Sequence, residues 1–535
     1  MKDKIIGKGT WLDKVANSLI IREEKLGRSI NLIKVESGLG ASGIPHIGSM
    51  GDAVRAYGIG LALNNLGFKS ELITYSDDMD GLRKIPTGFP PWLDDYIAKP
   101  VSTIPDPFGN CHKSYGEHMS SLLLESLDKV GIKFNYKSAS DVYKSGILGR
   151  EIDCILSNNE LLGKKISNLV GQDKYIDVLP YFPVCNNCGR LYVARAEKYL
   201  SNERKVLYSC SGSKIGTKEL SGCGHKGESD ISKGEGKLAW KVEFAARWKA
   251  LDIRFEAYGK DIMDSVRVND WVSTSLLNFP HPLHVKYEMF LDKEGKKISK
   301  SAGNVLTPQM WLKYGTPASI LLLLFKRISG TRHIGLDDIP TLMDEYDYYE
   351  DIYFDKIKEN NNSKKIKLKG IYEYVNKLNP PYNSLKHIPY RILVQQASLF
   401  TGEGRSDNIL SRLKKYGLVE EKTEDLINKI SLASNWADDL ISEKAFEISI
   451  EQKEKNAIME LVNKFKDLIG KESENLSNDI QTIIFEITKK YEIEPRVFFK
   501  LLYRMLINCD RGPKLGNYLV DLGLDRTCEI MEKYI

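Results

Sequence analysis

The sequence has no long apolar run. Its longest uninterrupted one, Ile320 to Phe325, is six residues, and a membrane-spanning helix needs about 18 or more. The first 25 residues are broken by charge throughout and carry no apolar stretch of the secretory type. Strong charge of one sign is lacking as well: 77 Lys+Arg oppose 72 Asp+Glu, a formal net charge of +5. That excess excludes a histone-like polycation. Internal repeats and low-complexity tracts are also missing. What is present is 42% apolar residues over 535 positions, enough for several cores and for about three or four domains. The expectation is a cytoplasmic multidomain protein with neither a membrane nor DNA as partner.

Cysteine is scarce but unevenly placed. Of eight cysteines, four fall between 185 and 223. Cys185-Asn186-Asn187-Cys188-Gly189 puts two thiols on a tight turn. Cys210 and Cys223-Gly224-His225 supply a second pair, after segments that read as strands (Arg190 to Val193 and Lys205 to Ser209). Without a secretory signal this spacing suits a structural Zn²⁺ held by Cys185, Cys188, Cys210 and Cys223 rather than a disulfide framework. His225 is the alternative fourth ligand to Cys223. The other four cysteines, Cys111 among them, read as scattered buried apolar residues.

The apolar run at Leu32 to Val35 reads as a strand, followed by a Gly-rich turn over 38–43. A helix with apolar spacing of 3–5 then runs from near His46 to Gly67, and a second strand covers Lys69 to Ser76. Strand, turn, helix, strand is one βαβ unit of a parallel sheet. Six prolines between 85 and 108 read as an irregular surface loop. Helices follow at 114–130 and 160–170. From about Pro317 onward, segments such as Leu426 to Leu440, Ala457 to Leu468 and Val497 to Ile507 read as an all-α helical bundle.

Two motifs carry chemistry. Ser42-Gly43-Ile44-Pro45-His46-Ile47-Gly48-Ser49 sits where the first strand becomes the first helix. Glycines there admit a phosphate to the backbone, and a helix start offers free N–H groups. His46 adds a donor. Gly295-Lys296-Lys297-Ile298-Ser299-Lys300-Ser301 places two lysines three apart, a cationic clamp for charge building on a leaving pyrophosphate.

Together these motifs resemble the HIGH and KMSKS signatures of class I aminoacyl-tRNA synthetases, and more closely the class I lysyl-tRNA synthetases found mainly in archaea. Asp78 to Pro86, the Cys185 to Glu228 lobe, Gly236 to Trp240, Tyr258 to Asp261 and Tyr287-Glu288 are similar to that family's segments. The resemblance implies a Rossmann-like catalytic domain with a zinc-binding insertion, then a helical anticodon-binding domain. Its divisions are 1–84, 85–236 (zinc lobe 180–230), 237–285, a lysine-loop connector 286–345, and 346–535. It implies activation of L-lysine by ATP with Mg²⁺, then transfer to the 2′-hydroxyl of the terminal adenosine of tRNA(Lys). His46, Lys297 and Lys300 would be catalytic. Gly43, Gly48, Ser49, Asp261 and Ser299 would join His46 and Lys300 around ATP. Asp78, Asp80, Glu288, Trp240 and Tyr287 would hold the amino acid. The chain departs from the family at Gly40-Ala41, where Thr-Pro is usual, at Ser49 (usually Asn) and at Ile262 (usually His). The competing readings are a synthetase for another amino acid, a non-catalytic tRNA-binding paralogue, and a small-molecule nucleotidyltransferase.

Overall fold

A computed structural model describes residues 5–216, 218–298, 305–400, 402–415, 417–441, 448–470, 475–507 and 514–535. The chain forms two compact units, Met1–Leu312 with Pro317–Ser384, and Lys313–Thr316 with Leu385–Ile535.

The first unit is built on a five-stranded parallel sheet. Its strands are β1 (Ile33–Leu39), β2 (Ser70–Ser76), β3 (Asn135–Ser138), β4 (Ile253–Gly259) and β5 (Leu283–Tyr287), in spatial order β5-β4-β1-β2-β3. β1 runs in register with β2 from Ile33↔Ser70 to Leu39↔Ser76. Against β4 it shifts between Lys34 and Val35. The order reverses at β1, so the crevice beyond the carboxyl ends of β1 and β4 is where an open α/β sheet binds ligands. Helix α1 (Ile47–Asn65) follows β1 and buries Ile47, Met50, Val54, Ile59 and Leu63 on the sheet. Helix α2 (Trp240–Leu251) precedes β4.

Three readings of the sequence need correction. Residues 190–193 are turn, not strand: their backbone closes the cysteine knuckle, Arg190 C=O accepting from Cys185 N–H at 3.0 Å, and the strand begins at Ala194. The proline-rich 85–108 stretch is irregular, as read, but only in part a surface loop. Short 3₁₀ turns at Pro91–Tyr96 and Val101–Thr103 bury Leu93, Ile97, Val101 and Ile104 against Tyr115 and Met119. Helix Trp11–Lys25, capped by a Thr10–Asp13 capping box, was not foreseen.

The second unit's elements include helices Glu424–Trp436, Gln452–Leu468, Leu476–Lys490 and Pro495–Ile507. Ile458, Leu461, Phe465, Ile484, Phe498 and Leu502 form part of its core. No helix among the described residues is long and apolar enough to cross a membrane.

Candidate active site

The carboxyl ends of four strands converge on one cavity of about 430 Å³. β1 contributes Gly40, Ala41 and Ser42, then His46. β2 is followed by Asp77 and Asp80, β4 by Asp261, and β5 by Met289. Trp240 and Lys297 also line it.

His46 is the N-cap of α1, in extended backbone, and its Nδ1 accepts the Ser49 N–H at 3.2 Å. An accepting Nδ1 places the ring proton on Nε2, so in the neutral ring the donor is Nε2. Gly48 is required beside it: a Cβ there would lie 2.7 Å from His46 Cε1. The helix start is less open than the sequence suggested. Ile47 N–H is taken by Leu306 C=O at 2.9 Å and Ser49 N–H by the histidine ring. Gly43 is buried in the turn, which Tyr115 braces through its hydroxyl on Ser42 C=O at 3.1 Å.

The acidic floor is Asp77 with Asp80. Asp77 accepts from Lys237 Nζ on one oxygen and from Trp240 Nε1 on the other, each at 2.6 Å. Asp80 accepts from Lys237 Nζ at 2.8 Å and from the Tyr192 hydroxyl at 3.3 Å. Asp78 points elsewhere. Its carboxylate takes the Ser138 hydroxyl at 2.7 Å and the Ser140 N–H at 2.8 Å, tying the loop to helix Ala139–Lys144. Successive residues of an extended segment face opposite ways. Here the strand ends at Ser76 and Asp78 lies in the turn that follows, so alternation alone does not choose between Asp77 and Asp78.

Tyr287 and Glu288 also fall outside the cavity lining. Tyr287 is buried; its hydroxyl donates to Asp52 and the Arg55 guanidinium lies 4.2 Å over its ring. Burial pushes the Asp52 carboxyl up to about 7, against the pull of Arg55. Glu288 pairs with Lys260 at 3.4 Å. Ile262 packs on the core.

Lys297 Nζ lies 2.7 Å from Asp261 Oδ2. The next residue, Ile298, is buried and its N–H bonds Phe290 C=O at 3.2 Å, which anchors the entry to the lysine loop. Ser299 and Lys300 lie outside the described residues.

Among the described residues three clusters group metal-ligating side chains; Asp270, His281 and His284 offer three ligands, and the other two offer four each. The ligand atoms of Cys185, Cys188, Cys210 and Cys223 all lie within 4.8 Å of one another. The Cys185–Cys223 and Cys188–Cys210 sulfurs are 3.6 and 3.8 Å apart, far beyond a disulfide bond. Gly189 (φ 69°) and Gly224 (φ 77°) adopt the left-handed turns beside Cys188 and Cys223. Four thiolates fit tetrahedral Zn²⁺.

The second cluster is Asp106, Cys111, His112 and His118, again within 4.8 Å. Cys111 Sγ lies 3.2 Å from Asp106, 3.1 Å from His112 Nδ1 and 3.3 Å from His118 Nδ1. Asp106 is oriented by the N–H groups of Phe108 and His112 at 2.9 and 3.0 Å. Cys111 is exposed, which corrects its reading as a buried apolar residue. Cys111-His112 with His118 six residues on was the overlooked signal.

The family described as tRNA synthetases class I (K) matches residues 9–378. The chain is 50% identical to a lysine–tRNA ligase of Cenarchaeum symbiosum (strain A), covering 98% of each. It is 29% identical to the lysine–tRNA ligase of Rickettsia felis, covering 94% of this chain and 93% of that one. The lysine–tRNA ligase of Rickettsia prowazekii is also 29% identical, over 94% and 92%. With a match spanning well over half its length, the chain belongs to the class I tRNA synthetases (K).

Proposed function

We propose that this protein is a lysine–tRNA ligase. It would join lysine and ATP to form lysyl-adenylate with release of pyrophosphate, then pass the lysyl group to the 2′-hydroxyl of the terminal adenosine of tRNA(Lys). The observation that carries the reading is the acid pair Asp77 and Asp80 on the floor of the cavity that also holds His46, Asp261 and Lys297. Two carboxylates beside the Trp240 ring suit an ammonium on a methylene chain. A pocket for glutamate would need the opposite charge. The Cenarchaeum and Rickettsia relatives support the choice of lysine.

The roles follow from position. His46, donating from Nε2, stabilises the α-phosphate as its charge develops. Asp261 holds the ribose hydroxyls. Lys297, with Ser299 and Lys300, stabilises the departing pyrophosphate. Mg²⁺ bound with ATP supplies further charge neutralisation. Acceleration comes from positioning and fixed charge, with no covalent enzyme intermediate. Gly43, Gly48 and Ser49 shape the turn that presents His46. The second unit serves as the anticodon-binding part.

Amino-acid-dependent ATP–pyrophosphate exchange tests the reading. Lysine should drive exchange and the other nineteen amino acids should not. Exchange with none of them, with or without tRNA, sinks the enzyme; exchange driven by another amino acid sinks the lysine assignment alone.

Both four-ligand clusters belong to this reading as structural sites, since neither leaves an open position. Metal analysis of purified protein should find about two zinc ions per chain. Cys210→Ser should lose one and His112→Ala/His118→Ala the other. A single ion unaffected by the histidine changes would refute the second site.

A further inference from the structure

The cavity floor already holds a lysine of the protein's own. Lys237, in strand Gly236–Leu238, is 1% exposed. Its ammonium lies 2.6 Å from Asp77, 2.8 Å from Asp80 and 3.1 Å from Glu243. Burial works against this ammonium, but the three carboxylates outweigh it and hold its pKa well above the ordinary lysine value. Burial pushes the Glu243 carboxyl up to about 7, yet one cation against Asp77 and Asp80 alone still leaves a surplus of negative charge.

The surroundings assign that surplus to the cavity. Glu243, fully buried behind Lys237, accepts the Tyr143 hydroxyl at 3.0 Å. Arg247, the neighbouring guanidinium on α2, is in contact with Glu36 and Glu256 instead. Arg83 and Lys84 also line the cavity, but Arg83 reaches Asp80 only at 4.0 Å, with its side chain 62% exposed. Tyr192 and Trp240 give Asp80 and Asp77 neutral donors. Asp77 and Asp80 are the members that face the cavity; Glu243 does not line it.

We propose that Lys237 is the positioning residue of the amino-acid pocket. It clamps Asp77 and Asp80 side by side, facing the cavity, while leaving them enough negative charge to select one further ammonium. The inference rests on the reading of this cavity as a lysine site. Two aspartates this close, one buried and one half-buried, repel each other; without the clamp they separate or take up a proton, and either outcome removes the ammonium site. ATP contacts are untouched, because Lys237 reaches neither His46 nor Asp261 nor Lys297 by any of its three ion pairs.

The test is exchange kinetics with lysine and ATP varied separately in wild type, K237M and K237R. In K237M the lysine KM should rise on the order of 30-fold or more, with the ATP KM within about threefold of wild type. K237R, which keeps the charge, should bring the lysine KM back to within about tenfold of wild type. A purely structural defect would shrink the active fraction and the maximal rate without moving one KM. Should K237M not fold, E243Q carries the test. With the buried charge gone, Lys237 draws harder on Asp77 and Asp80, and the lysine KM rises severalfold at constant ATP KM. An unchanged lysine KM in folded K237M, or in E243Q where K237M does not fold, overturns the proposal. Wild-type exchange that does not depend on lysine overturns the parent reading instead, so the two failures are distinct.

Discussion

Lys297→Ala should lower the rate of pyrophosphate exchange by about 10²–10³-fold, the scale of removing one charge-stabilising donor from a transition state. The lysine KM should stay within about threefold, because the interaction forms as the pyrophosphate leaves and not when lysine binds. In the free protein this ammonium is parked on Asp261, 2.7 Å away, with both side chains 45% exposed. Exposed pairs of this kind are worth about 0–1 kcal/mol. The lost rate corresponds to about 3–4 kcal/mol, so opening the pair costs little against the gain at the transition state. The pair also predicts the form of the defect: Asp261→Asn should raise the ATP KM and leave the lysine KM alone. Lys297→Ala with a wild-type exchange rate would remove this lysine from pyrophosphate stabilisation.

Much of the catalytic half was legible because local rules and long-range packing agree there. The apolar run, glycines and 3.6-residue spacing of 32–67 became β1 and α1. Four cysteines within 39 residues, Cys185 to Cys223, converge as their spacing suggested. Elsewhere a local rule was outvoted. Prolines marked 85–108 as loop, yet Leu93, Ile97, Val101 and Ile104 recur at spacings of three or four and fill a core from 3₁₀ turns that need few backbone donors. Helix Trp11–Lys25 was legible too: its buried Leu12, Ala16, Leu19 and Ile20 fall at the i, i+4, i+7, i+8 spacing of an amphipathic helix, behind a Thr10–Asp13 capping box. The acid pair shows the firmest limit. Nothing local chooses Asp77 over Asp78, which lies in the turn after β2, or announces that Lys237, 160 residues away, neutralises Asp77.

The largest stability effect should come from Arg247→Met. Arg247 is 3% exposed and Glu36, on β1, is 1% exposed. The guanidinium contacts Glu36 through Nε and Glu256 through Nη2 at 3.1 Å, while lying 4.5 Å over the Tyr75 ring. Methionine matches the length of the stem but supplies no charge, so two carboxylates lose their counter-ion, one of them in the centre of the sheet. Breaking one side of such a buried network costs about 3–5 kcal/mol. The sign of its pH dependence is fixed. Burial pushes the Glu36 carboxyl up and Arg247 opposes it, so the substitution raises Glu36 further. A raised carboxyl binds a proton in the folded state that the unfolded chain has already released. Stability is therefore retained below the unfolded carboxyl pKa and lost as pH rises through the folded one. Burial already pushes the Glu36 carboxyl up to about 8 in the wild type, so the gap between variant and wild type should be narrow near pH 6 and wider near pH 9. Denaturant unfolding followed by tryptophan fluorescence, to which Trp248 beside Arg247 contributes, measures it at both pH values. A gap at pH 9 no larger than at pH 6, or one that widens as pH falls, would show that Glu36 does not depend on Arg247 for its charge.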